Sequence, residues 1–87
     1  MSLNLPPSVT VADVAGLLPA LQTALEDGQM HIDAAALTDF DTSTLALLLH
    51  ARRLAESRGA AFRVSGAPPK LVELAELYGV ESLLSLT

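Results

Sequence analysis

One stretch constrains this chain more than any other: Asp39-Phe40-Asp41-Thr42-Ser43-Thr44-Leu45-Ala46-Leu47-Leu48-Leu49-His50. A run of acids and hydroxyls leads straight into a strongly apolar segment, and both halves point to the start of a helix. The first N–H groups of a helix have no partner inside it. Side-chain oxygens of Asp, Ser and Thr accept from those groups, and negative charge there complements the helix dipole. The pattern predicts a helix from about Thr42 to Ser57, stopped by Gly59.

Ahead of it, Met30-His31-Ile32-Asp33-Ala34 alternates apolar and polar side chains, which predicts a strand with one better-buried face. The unit is strand, loop, capped helix. In open α/β sheets, ligands and partners bind at the carboxyl ends of strands, so the loop at Asp39 to Thr44 is the expected working surface. On a helical wheel Leu47, Leu48, Ala51, Leu54 and Ala55 share one face, while His50, Arg53 and Ser57 share another. Leu45 and Leu49 widen the apolar stripe at the start of the helix. They are expected to pack under the loops, the competing reading being a partner-binding surface.

The rest of the chain reads in the same alternation of periods. Leu3 and Leu5 suggest a short edge strand ended by Pro6 and Pro7, with Val9 and Val11 extending or restarting it. Val14, Leu17, Leu18, Leu21 and Leu25 recur at helical spacing. Pro19 interrupts that pattern, so the helix is expected to begin late, near Leu17, after a loosely wound lead-in from Val11 to Gly16. Asp27-Gly28 is expected to close it. Phe62-Arg63-Val64-Ser65 predicts another strand, and Gly66-Ala67-Pro68-Pro69 a turn into a helix with proline in its first turn. Leu71, Leu74, Ala75 and Tyr78 are its expected inner face, Lys70, Glu73 and Glu76 its outer one, and Gly79 its end. Val80, Leu83, Leu84 and Leu86 form an apolar tail expected to pack back onto the domain. Strand, helix, strand, helix, strand, helix implies parallel strands. The expected architecture is one small α/β domain with a mostly parallel sheet and helices mainly on one side.

Composition narrows what such a domain does. Ten acids against five bases give a net charge of -5, which argues against a phosphate-backbone partner, because nucleic-acid binding needs clustered Lys and Arg. An anionic membrane surface is disfavoured for the same reason, and no apolar run approaches the roughly 20 residues that span a bilayer. The absence of cysteine excludes thiol catalysis and zinc ribbons. Met1-Ser2-Leu3-Asn4-Leu5-Pro6 lacks a basic region and a long apolar core, so the cytoplasm is the expected compartment. Phosphate-binding loops, a nucleophile elbow and His-Glu-x-x-His are missing, so no enzyme activity and no cofactor are expected. A metal site from His31, Asp33, Asp39 and Asp41 is disfavoured because acids at strand ends and caps are ordinary turn formers. A phosphorelay role for Asp41 is disfavoured too, Lys70 being the sole lysine. The hydroxyls of Thr42, Ser43 and Thr44 either cap the helix or are exposed to a partner or a kinase. A phosphate there would meet favourable N–H groups and unfavourable Asp39 and Asp41.

Asp41-Thr42-Ser43-Thr44-Leu45 resembles the Asp-Ser-Ser-Gly-Leu motif that begins the second helix of STAS domains, the fold of anti-sigma factor antagonists. Leu17-Leu18-Pro19, Ile32-Asp33, Asp41-Thr42, Leu45 to His50 and Leu74-Ala75-Glu76-Leu77-Tyr78 look, more particularly, like the STAS subunits of bacterial ABC complexes that transport phospholipid and maintain outer-membrane lipid asymmetry. The similarity covers nearly the whole chain after about Val11. It implies a STAS-like fold and a non-catalytic cytoplasmic subunit, peripheral to the inner membrane, that binds and supports an ABC transporter ATPase subunit. Asp41, Thr42, Ser43, His50 and Arg53 are then the expected partner-binding residues, with Thr42 the contact position of the motif. In phosphoregulated antagonists the modified serine corresponds to Ser43, which implies as an alternative an antagonist switched by an anti-sigma factor kinase. Two departures bear on the choice: the transporter subunits carry two glycines where this chain has Ser43-Thr44, and the N-terminal segment is short.

Overall fold

The computed structural model describes residues 2–24 and 29–84. A three-stranded parallel sheet has the order β1 (Ser2–Asn4), β3 (Gln29–Asp33), β5 (Ala61–Ser65), with β3 in the middle. A second, two-stranded parallel ladder joins β2 (Ser8–Val9) to β4 (Asp39–Phe40). The N-terminal segment therefore supplies two short strands, one to each ladder. Alternation in β3 holds: Met30 and Ile32 are buried, as is Ala34 just beyond, while His31 and Asp33 are half-buried.

Helices α1 (Val11–Ala24) and α2 (Thr42–Ser57) pack together and against the sheet. The sheet's other face presents Asn4, His31, Asp33, Arg63 and Ser65, none of them buried. On that face His31 Nε2 lies 2.6 Å from Ser65 Oγ. This is the small α/β arrangement expected, with helices mainly on one side. The core is aliphatic, and α2 contributes most to it through Leu45, Leu47, Leu48, Ala51 and Ala55. Leu45 is 4% exposed and belongs to the interior, while Leu49 is half-buried and packs against the same core.

α2 spans the expected residues. Its end is a Schellman motif in which Gly59 takes φ 67°, its N–H donates to the Glu56 carbonyl, and the Ala60 N–H donates to the Ala55 carbonyl. α3 (Pro69–Leu77) ends the same way at Gly79, and α4 (Glu81–Leu84) turns the apolar tail back so that Leu84 is buried.

Two expectations need correction. The first helix starts at Val11, six residues earlier than the Leu17 expected. Its first turn reaches back to Thr10: the Asp13 carboxylate accepts from the Thr10 backbone N–H and from its hydroxyl, both at 3.0 Å, the reciprocal half of a capping box. Pro19 is accommodated because it and Ala15, whose carbonyl it leaves without a helical partner, are both exposed. Second, Tyr78 is 56% exposed and not on the inner face, since α3 stops at Leu77 and Tyr78 occupies its C-cap. The expected close at Asp27-Gly28, with Leu25 before it and Leu86 near the C-terminus, falls outside the described residues.

Candidate functional site

The β2–β4 ladder sets the site. Its register, Ser8 opposite Asp39 and Val9 opposite Phe40, brings the starts of α1 and α2 side by side. Between them the Ser8 hydroxyl lies 3.3 Å from the Asp13 carboxylate and 3.5 Å from that of Asp39. The Thr10 backbone N–H and then the Thr10 hydroxyl hold the Asp13 carboxyl below its ordinary value of 3.8.

Asp41 is the N-cap of α2. Its Oδ1 accepts from the Ser43 N–H at 2.8 Å, and its own N–H donates to Thr44 Oγ1 at 3.3 Å, closing a capping box. The three hydroxyls that follow divide sharply. Thr44 is fully buried and donates to the Val9 carbonyl at 2.6 Å, fastening the start of α2 to β2. Thr42 is exposed, Ser43 is half-buried, and neither hydroxyl is bonded among the described residues.

From Thr42 an exposed stripe runs along α2 through Ala46, His50, Arg53 and Ser57, at spacings of four, four, three and four. The structure thus brings Asp41, Thr42 and Ser43 together at the mouth of the helix, with His50 and Arg53 further along the same outer surface. Asp41 and Arg53 are twelve residues apart, about 18 Å along the axis. Arg52 is less available, since it pairs with Glu56 at 3.0 Å. His31 and Asp33 do not join this site: His31 meets Ser65 on the far sheet face, and the Asp33 carboxylate accepts from the Ala35 N–H at 2.9 Å. Among the described residues no three His, Cys, Asp or Glu side chains are grouped to hold a metal ion, and no helix is long and apolar enough to cross a membrane.

Sequence reasoning missed two features. One is the tie from Thr44 to Val9, signalled by Thr44 standing three, four and seven residues before Leu47, Leu48 and Ala51 on the apolar stripe. The other is α1, where Val11 is 74% exposed and Leu18 is 39% exposed; Pro19 obscured that helix.

The structure thus sets a capped helix mouth and a mixed polar stripe on a small parallel α/β sheet. The family model described as "Mlab, STAS domain" matches residues 1–85, and the chain belongs to the STAS domain family. The match includes the short N-terminal segment ahead of Val11. STAS domains are generally non-catalytic. No curated protein matches the chain.

Proposed function

We propose that this STAS domain is a non-catalytic subunit that binds and supports the cytoplasmic ATPase of a phospholipid-transporting ABC complex. It docks through the Asp41-Thr42-Ser43 loop and the outer stripe of α2, including His50 and Arg53. The observation that carries this reading is Thr42, an exposed residue in the first turn at the head of that stripe, whose hydroxyl is unbonded among the described residues. The STAS family match supports an interaction role, and the motif resemblance supports the choice of partner. The chain sits in the cytoplasm and reaches the inner membrane through its partner. The test is to tag the chain in its native cells, isolate it gently from solubilised membranes and identify what co-purifies. An ABC ATPase with its permease is the expected result, and Thr42→Glu should lose it without unfolding. Undiminished ATPase recovery with Thr42→Glu would count against the docking site.

A second reading is favoured by Ser43 at the helix mouth, whose hydroxyl is also unbonded among the described residues. It makes the chain an anti-sigma factor antagonist switched by a kinase at Ser43. A phosphate would sit beside the Asp41 carboxylate, which already accepts from the Ser43 N–H, so modification would strain the cap. Recovery of a soluble serine kinase, with phosphate on Ser43, would select this reading.

A further inference from the structure

We propose that the exposed face of α1 is the second half of the docking surface, so that the ATPase subunit seated on the α2 stripe also covers Val11, Ala15, Gly16 and Leu18. This rests on the ATPase reading above and extends it to another helix.

Five contact residues are far fewer than the roughly 20–30 a side of a specific interface, so the partner must cover neighbouring elements. α1 is packed beside α2. At one end Thr44 fastens the start of α2 to Val9 of β2, just ahead of α1, and at the other Arg58 Nη2, at the C-cap of α2, donates to Gln22 Oε1 of α1 at 3.3 Å. Gln22 itself lies on the exposed side of α1, in line with Val11, Ala15 and Leu18 at spacings of four, three and four. The surfaces of the two helices are therefore continuous.

The chemistry of the α1 face departs from that of a helix facing only water. Its exposed residues, the four just named with Ala12, Gly16, Pro19 and Thr23, carry no charge, in a chain of ten acids and five bases. The charged residue in this helix, Asp13, is engaged by Thr10. A solvent-facing side normally carries charged and polar residues. Val11 and Leu18 are left open instead. Gly16 breaks a local rule as well: glycine is a poor helix former, and nothing lies within 4 Å of where a Cβ on it would stand. Packing within the domain does not call for glycine there, whereas a flat helix surface admits close approach by a partner's backbone. The partner surface that fits is apolar and uncharged over α1, with acidic groups over His50 and Arg53.

Gly16→Arg separates folding from binding. Arginine is the better helix former and has open space, so the variant should melt at or above the wild-type temperature. Its affinity for the co-purifying ATPase subunit, measured by biolayer interferometry, should fall about tenfold or more, as for a charge buried at an interface centre. Val11→Glu should act in the same direction. Undiminished affinity of Gly16→Arg overturns the α1 half, and if Thr42→Glu has lost binding the α2 site still stands. Undiminished affinity of Thr42→Glu overturns the α2 site instead. A wild-type chain that sediments as a dimer and becomes a monomer as Gly16→Arg would give the face to a second copy and overturn the proposal. Recovery of no ATPase with the wild type overturns both readings.

Discussion

Replacing Thr44 by valine should be the most costly single change at the mouth of α2, although Thr42 two residues away should tolerate the same change. Valine keeps the shape of threonine, so no cavity opens and the loss is confined to the hydroxyl. That hydroxyl donates to the Val9 carbonyl at 2.6 Å in a site where both residues are fully buried. A buried acceptor left without a partner costs about 1–3 kcal/mol. The capping box also loses the Thr44 oxygen that the Asp41 N–H donates to, but Asp41 is exposed and water can replace it, so this adds about 0.5 kcal/mol. The sum is about 1.5–3.5 kcal/mol, a large share of the roughly 4–13 kcal/mol expected for a domain of this size. At about 4–8 °C per kcal/mol for a small domain, the melting temperature should fall by about 6–28 °C. Thermal melts followed by circular dichroism, with urea titrations at fixed temperature, measure it. Thr42→Val, exposed and unbonded, should stay within about 0.5 kcal/mol of wild type. Equal stabilities for Thr44→Val and Thr42→Val would refute the division of the hydroxyls into one that holds the fold and one that faces outward.

Two other perturbations test the frame around the site. Gly66 has φ 70° and an added Cβ would stand 3.0 Å from the Ala35 backbone nitrogen, so Gly66→Ala should cost about 3 kcal/mol; Gly79, at φ 71° with open space, should cost only the backbone strain of about 1–2 kcal/mol in the same urea titration. Asp13 has a carboxyl held below its ordinary value of 3.8 by Thr10. Its contribution is therefore present above that value and lost as pH falls through the lower folded-state value. Acid unfolding below about pH 3.8 should be shallower for Asp13→Asn than for the wild type, measured as the difference between their stabilities at pH 7 and pH 3; parallel acid limbs would remove Asp13 from the cap of α1.

Much of the fold was readable from periodicity because the signals were local and unopposed. The strand at Met30 and the helix from Thr42 to Ser57 have clean periods, and Gly59 closes the latter by a backbone conformation that glycine adopts without strain. The first helix was misread where two local signals disagreed. Pro19 argues against a helix through that point, and Thr10 with Asp13 argues for a start at Val11. Exposure decided between them, since a carbonyl without a helical partner is cheap beside water and costly in a core. Burial is set by tertiary packing, which single-residue propensity does not contain. Tyr78 differs by a single residue: its spacing suits the inner face of α3, but the helix ends one residue before it.

The candidate site shows how far periodicity carries when it is followed to the end of the element. Three consecutive hydroxyls look interchangeable as a motif, yet successive helix residues are about 100° apart, so Thr42 and Thr44 lie about 200° from each other. Thr44 must fall on the side of Leu47, Leu48 and Ala51, and a hydroxyl delivered to that side has to find a buried acceptor, which Val9 supplies. Thr42 must then fall with Ala46, His50 and Arg53. The geometry that commits Thr44 to the fold is therefore the same geometry that leaves Thr42 exposed. What the spacing does not contain is the neighbour: the pairing of β2 with β4 and the packing of both helices on the central sheet set α1 against α2.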